Sequence, residues 1–362
     1  MINFSDEFSK NILNWFARCQ RNLPWRKDVS DYSSFISEFM LQQTQVKTVI
    51  PYYNRFIEKL PNWKSLAFAS EKTVLKLWEG LGYYRRVKNL KKSAEIIVQH
   101  YNGKLPDQFD EIHKLPGVGH YTAGALLSIV YKKPYPAVDG NVIRVFSRIF
   151  EIKNPAKSTS LTQEVWKRAS EMLPPYDPGN FNQALMELGA LICIPKNPRC
   201  LVCPVQKHCQ SFHHGTQSLF PSTTVKKKLV PTYMISVLLK QSNRILLRKI
   251  SNQASWFQSL WEFPTYTDKN FKRAIAKAEK DLDVQIDRNE LLLLKFYITK
   301  HKVTLKLFNA DFHNPVIFKK DYRWIPMKSL AQYPLAKAQN QIRDFILHTF
   351  QKIQKKILKR KK

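Results

Sequence analysis

The chain has 362 residues, 44% of them hydrophobic and 12% aromatic; at roughly 150 residues per domain that is about two domains, with enough apolar material to exclude a globally disordered chain. Its 59 Lys and Arg stand against 28 Asp and Glu, a formal net charge of +31, which points to a polyanionic partner, either nucleic acid or an anionic membrane surface. No uncharged apolar run is long enough to span a bilayer, and the first nineteen residues mix Asp6, Glu7 and Lys10 into the apolar positions, unlike a secretory signal.

In chain order, residues 1 to about 217 read as mostly helical. Apolar residues recur at three and four, as in Phe35, Phe39, Val46 and Ile50. Pro and Gly punctuate short connections, such as Leu60-Pro61-Asn62. Residues 218–230 carry Pro, Ser, Thr and the run Lys226, Lys227, Lys228, a linker composition. Beyond it the pattern changes. Residues 233–239, 244–248 and 291–308 read as strands, and 271–282 and 336–348 as helices, which makes 231–350 an α+β domain. The tail, 351–362, has seven basic residues and no acid and is expected to fray. The basic excess is 11 over residues 1–217 (29 against 18) and 20 over 218–362 (30 against 10), so both domains can meet the same polyanion.

Residues 115–125 read LPGVGHYTAGA, between two helical segments. Pro116 stops the first. Gly117 and Gly119 allow a tight turn with positive φ and close backbone approach. The free N–H groups at the start of the second helix can then hold a phosphate. A Gly-x-Gly alone is more often a plain turn, but the whole segment resembles the helix-hairpin-helix of DNA repair glycosylases. Four more segments fit in order: SEFMLQQTQV (37–46), EGLGYYRR (79–86), YPAVDGNVIRV (135–145) and FNQALMELGALIC (181–193). Together they resemble the adenine DNA glycosylases of the MutY family, relatives of endonuclease III. That resemblance implies an all-α helix-hairpin-helix glycosylase domain over 1–217, with Leu115, Gly117, Val118 and Gly119 gripping the DNA backbone. A Nudix-like domain would follow.

Four of the five cysteines, Cys193, Cys200, Cys203 and Cys209, are spaced Cys-x6-Cys-x2-Cys-x5-Cys. Four thiolates can hold a [4Fe–4S] cluster or a tetrahedral zinc. Only one pair is tight, which leans modestly to iron–sulfur; the resemblance implies the [4Fe–4S] cluster, with Lys196, Arg199 and Lys207 presented to DNA. Cys19 reads as a buried structural thiol.

Cutting an N-glycosidic bond asks for one protonated carboxyl and one carboxylate. Glu38 lies among Phe35, Ile36, Phe39 and Met40, where burial favours the neutral acid; the ordinary alternative is a solvated helix glutamate. Asp139, just before a helical segment, is ordinarily an N-cap, and a helix start favours its ionised form. The resemblance implies that Glu38 protonates adenine at N7 and later helps activate water, that Asp139 stabilises the sugar cation, and that Asn141 supports it. Tyr121 stands where bifunctional relatives carry a Schiff-base lysine, so the resemblance implies a monofunctional enzyme with Tyr121 lining the base pocket; a core aromatic is the alternative. Gln42, Gln43 and Thr44 are expected on the Glu38 helix, and Gln43 with Tyr83 matches the pair that wedges beside the opposite purine when the adenine is flipped. Tyr84 reads as a packed aromatic.

In the second domain, SLWEFPT (259–265) and Arg323-Trp324-Ile325 carry the Nudix-like resemblance. The helix after it offers only Glu279 and Asp281, not the glutamate-rich pattern that binds Mg²⁺, which disfavours a nucleotide hydrolase. Where many family members have Phe-Ser-His against 8-oxoguanine, this chain has Thr299-Lys300-His301, with Lys300 placed to meet a phosphate and His301 retained. The resemblance therefore implies a monomeric base-excision repair enzyme of the bacterial cytoplasm, at the nucleoid. It would remove adenine opposite 8-oxoguanine or guanine in double-stranded DNA, without a membrane partner. Its rivals are an endonuclease III-like glycosylase–lyase on damaged pyrimidines, a non-catalytic DNA-binding protein and a Nudix pyrophosphohydrolase.

Overall fold

The computed structural model describes residues 4–222, 229–312 and 321–360, without the side chains of Phe312 and of 352–360. Residues 223–228 of the expected linker and 361–362 of the basic tail lie outside it. The chain divides into Met1–Ala69 with Asn89–Val225, and Ser70–Lys88 with Lys226–Lys362.

The first unit is helical, and each of its key helices starts for a local reason. Ser30 caps Asp31–Leu41 in a reciprocal box with Ser33, satisfying two donors that would otherwise be orphaned. Asp139 caps Gly140–Ile149. Phe4–Cys19, Gly140–Ile149 and Pro178–Leu191 bury one stripe each, so that Phe8, Ile12, Phe146, Phe181 and Leu185 are fully enclosed. Cys19 is exposed, not buried: it is the last helical residue, beyond the buried stripe that ends at Phe16.

The hairpin joins Phe109–Lys114 to His120–Ile129. Of its two glycines only Gly117 has positive φ, +82°, and a Cβ there would stand 2.9 Å from Asn89 Nδ2 and 3.0 Å from Phe39 Cε1. Gly119 is extended, at φ −98°; it caps the second helix and offers no side chain to its first N–H groups.

The second unit is α+β. Its strands are β1 (Val230–Leu238), β2 (Lys240–Gln241), β3 (Arg244–Lys249), β4 (Trp261–Glu262), β5 (Thr265–Asp268), β6 (Val284–Ile298), β7 (His301–Phe312) and β8 (Tyr322–Pro326). One sheet runs β5-β1-β7-β6, with β1 and β7 parallel; the other runs β2-β3-β4, with β8 also on β3. Phe271–Leu282 packs on the first sheet through Ala274, Ala278 and Leu282. β4 and β5, too short to show a periodicity, were not expected from the sequence. The C-terminal helix runs Lys337–Arg360, so the expected fraying tail continues the helix. Residues 70–88, read from sequence as part of the helical domain, fasten to this unit. The Glu79 carboxylate accepts from Leu335 N at 2.9 Å, and the Tyr84 hydroxyl donates to Leu335 O at 3.3 Å.

Candidate active site

Glu38, Gln42, Gln43, Thr44, Tyr121, Asp139 and Asn141, drawn from distant parts of the sequence, line one cleft of the first unit. Glu38 is carried by Asp31–Leu41 and is 7% exposed; its Oε2 is buried without a hydrogen-bond partner. Burial lifts its pKa from 4.5 to about 7, the nearby Tyr121 hydroxyl pulls it back in part, and the negative charge of Asp139 pushes it further up. The Tyr121 hydroxyl donates to Met186 Sδ at 3.3 Å, and burial raises its own pKa well above the phenolic range.

Asp139 is the opposite case. Its Oδ1 accepts from Asn141 N and Val142 N, both at 2.8 Å, and its Oδ2 from Asn141 Nδ2 at 2.8 Å. Burial still raises its pKa, against the helix-start expectation, while the three donors and Arg144 oppose the rise. The two carboxyls thus differ in what holds the ionised form: Asp139 has three N–H donors, and Glu38 has the Tyr121 hydroxyl nearby and one buried oxygen, Oε2, without a partner. Burial therefore favours the neutral form of Glu38, while the donors at Asp139 favour its ionised form.

The structure corrects the placing of Gln43 and Thr44. The helix ends at Leu41, where Gln42 N closes the last turn on Glu38 O. Gln43 then takes φ +57° and is exposed, so it is aimed by a left-handed turn rather than by the helix. Gln42 Nε2 reaches Gly117 O at 3.3 Å and ties the hairpin, with Leu115, Val118 and Gly119, to this end of the Glu38 helix. Tyr83 belongs to the second unit, 50% exposed at φ +48°, and Tyr84 beside it is buried as expected.

The same cleft holds groups that the sequence did not single out. Glu187, on Pro178–Leu191, forms a two-armed pair with Arg21 (Nε–Oε1 2.7 Å, Nη2–Oε2 2.8 Å) and also accepts from Arg26 Nη2 at 3.1 Å. Two guanidinium groups hold its carboxyl below the usual range although burial opposes them. No local pattern marks them; Arg21 and Glu187 are 166 positions apart. Behind Asn141 and outside that lining, Arg144 donates three ways, to Asn141 Oδ1 (2.9 Å), Gly189 O (2.7 Å) and Cys193 O (2.8 Å).

Cys193, Cys200, Cys203 and Cys209 line one cavity with Val145, Ile149 and Leu188. Four thiols gathered at one cavity are a donor set that fits either an iron–sulfur cluster or a zinc ion. Burial pushes the Cys203 thiol up to about 12 and Cys209 to about 11, so both stay protonated as free thiols at neutral pH. Arg148 Nη1 points at Cys193 Sγ (3.4 Å) and clamps Ile194 O and Pro195 O at 2.8 and 2.9 Å. Lys196, Arg199 and Lys207 are exposed on the loop.

In the second unit, Lys300 is exposed at the β6–β7 turn, where its carbonyl accepts from Val230 N. His301 Nδ1 lies 2.9 Å from Thr232 Oγ1, and its ring meets Trp256 edge-on at 5.0 Å. His301, Trp256 and Phe296 share a cleft. Of the two acids of the helix Phe271–Leu282, Glu279 binds Arg288 and Ile286 N, and Asp281 accepts from Tyr266. No helix among the described residues is long and apolar enough to cross a membrane.

Comparison with known proteins shows the family and the fold of the first unit. The family model "HhH-GPD superfamily base excision DNA repair protein" matches residues 36–171. A thermostable thymine-DNA glycosylase superposes with a TM-score of 0.53 at 27% identity, over 58% of this chain and 97% of that one. An endonuclease III from a non-covalent DNA complex shares the fold (TM-score 0.50, 22% identity, 58% of this chain and 95% of that one). The adenine DNA glycosylase of Rattus norvegicus is 44% identical over 249 residues, 65% of this chain and 48% of its own. That of Buchnera aphidicola subsp. Acyrthosiphon pisum is 37% identical over 316 residues, 87% of each chain, and on that match the chain belongs to the adenine DNA glycosylase family.

Proposed function

We propose that this enzyme, a DNA glycosylase of base-excision repair, flips adenine mispaired with 8-oxoguanine or guanine out of double-stranded DNA and hydrolyses its glycosidic bond. The observation that carries the mechanism is the buried Glu38, whose pKa of about 7 keeps much of it neutral at physiological pH. Neutral Glu38 donates its proton to adenine N7, the C1′–N9 bond breaks, and its electrons leave with the base. The sugar becomes an oxocarbenium ion, which the Asp139 carboxylate, held by Asn141 and the helix start, stabilises. Glu38, now ionised, takes a proton from the attacking water, and an abasic site remains. With Tyr121 at the hairpin, no amine there forms a Schiff base.

Leu115, Gly117, Val118 and Gly119 present the uncapped helix start at His120 to a phosphate; Gln42, Gln43 and Thr44 meet the opened stack, and Tyr83 matches the family's wedge residue. Cys193, Cys200, Cys203 and Cys209 would hold a [4Fe–4S] cluster, which when bound cross-links the loop that carries Lys196, Arg199 and Lys207. The second unit, which resembles the Nudix fold, reads the opposite base through the cleft of Trp256, Phe296 and His301, with Lys300 on a phosphate. The engaged Glu279 and Asp281 leave it without a Mg²⁺ helix. The enzyme acts as a monomer in the bacterial cytoplasm.

Single-turnover excision on duplexes with adenine opposite 8-oxoguanine, guanine or thymine tests this reading. Base loss from the first two only, with strand breaks appearing only after alkali, is expected. Breaks without alkali and a borohydride-trapped adduct would support the lyase instead, and salt-sensitive binding without base loss the non-catalytic protein.

A further inference from the structure

Residues 79–86 hold a feature that adenine excision does not by itself require. Gly80, Gly82 and Tyr83 have φ of +100°, +74° and +48° in close succession. The glycines adopt this freely, but Tyr83 does so at a cost, since Cβ and the backbone crowd in the left-handed region. A half-exposed tyrosine kept in that conformation must be over-determined by its surroundings. Arg86 supplies the constraint. It is 8% exposed. Its guanidinium carbon lies 5.3 Å from the centroid of the fully buried Trp78 ring and 5.4 Å from that of Tyr83. Its Nη2 reaches Gly82 O at 3.3 Å and Leu81 O at 3.5 Å, its backbone N donates to Tyr83 O at 2.9 Å, and Trp78 Nε1 donates to the same Gly82 O at 3.1 Å. Burial lowers its pKa to about 10, so it stays charged at neutral pH.

We infer that Arg86 is the positioning residue for Tyr83: its planar cation, held against Trp78 and the turn carbonyls, fixes the tyrosine ring at the angle at which it enters the duplex beside the purine opposite the adenine. The inference rests on the proposed role of Tyr83 as a wedge. A guanidinium can face two rings and donate to two carbonyls at once because its donors form a flat fork; an ammonium is a point charge that cannot do both. Arg86 thus contributes to selection of the mispair without touching the DNA.

The test is a double-mutant cycle in the full chain with Arg86→Gln, Arg86→Lys, Tyr83→Ala and Arg86→Gln/Tyr83→Ala. Thermal unfolding is followed alongside binding to a duplex with adenine opposite guanine and to its fully paired counterpart. Arg86→Gln is expected to cut the preference for the mispaired duplex about tenfold, Arg86→Lys to cut it by less, and neither to change binding to paired DNA; in the Tyr83→Ala background Arg86→Gln should change nothing further. An undiminished effect of Arg86→Gln in that background, or full preference in a folded Arg86→Gln protein, overturns the inference. If Arg86→Gln does not fold, Arg86→Lys decides: full preference there removes the need for the fork. A Tyr83→Ala protein that keeps its preference refutes the wedge itself, a failure separate from that of Arg86.

Discussion

Replacing Glu38 by Gln separates what this carboxyl does for catalysis from what it costs the fold. The lift from 4.5 to about 7 corresponds to about 3 kcal/mol, at about 1.4 kcal/mol per tenfold in proton affinity. Below pH 4.5 the side chain is neutral in folded and unfolded chain alike, and that stability is fully present. As pH rises the unfolded chain releases the proton first, so stability falls until the folded carboxyl ionises near pH 7 and is then lower by the whole amount. Gln carries no such dependence. The wild-type protein should therefore lose about 3 kcal/mol relative to Glu38→Gln between about pH 4 and pH 8, or roughly 6–12 °C in relative Tm for a domain of about 200 residues. The same titration sets the chemistry: single-turnover excision should be half-maximal near pH 7, fall about tenfold per pH unit well above it, and be absent in Glu38→Gln. Urea unfolding of both proteins across this range, with excision rates at saturating protein, gives both readings. A stability difference that ignores pH would show that Glu38 is not the buried acid described, and wild-type excision unchanged from about pH 6 to pH 9 would remove it from proton donation.

Other substitutions probe the rest of the cleft. Asp139→Asn keeps the acceptor oxygen that caps the helix, so folding should change by less than about 1 kcal/mol, while excision falls about 10²- to 10³-fold as the charge facing the sugar cation is lost; comparable losses in stability and rate would make Asp139 a cap and nothing more. Gly189→Ala puts a Cβ 2.6 Å from Asn141 Cβ, and overpacking should cost about 1–3 kcal/mol and slow excision by displacing the support of Asp139, visible in single-turnover rates at a temperature where the variant is folded. Glu187→Gln leaves Arg21 and Arg26 facing each other in a half-buried site, at about 3–5 kcal/mol, read as a drop in unfolding midpoint. Arg144→Gln gives up the bonds to Gly189 O and Cys193 O, and a loss of about 2 kcal/mol should come with weaker retention of iron after gel filtration.

The sequence by itself determined whatever depends on neighbours along the chain. The Gly117 turn, the Asp139 helix start, the burial of Glu38 among Phe35, Ile36, Phe39 and Met40, and the grouping of four cysteines are local arrangements, and periodicity and spacing expose them. So does the change from helical to strand pattern near residue 230. Tertiary structure alone decided what depends on distant surfaces meeting. Glu187 became a site residue when Pro178–Leu191 packed beside Arg21 and Arg26, with no motif to announce it. Arg144 joined Asn141 to the Cys193 carbonyl because helix Gly140–Ile149 ends against the cysteine loop. Cys19 lay outside because a helix's apolar stripe stops where the core stops. The rise in the Asp139 pKa also belongs here: a helix start favours the carboxylate, and how much water the folded cleft removes is not written in any window of sequence. Long-range burial sets the desolvation that raises both carboxyls, and it exists only once the chain has folded, whereas the Asn141 and Val142 donors that set Asp139 apart are local.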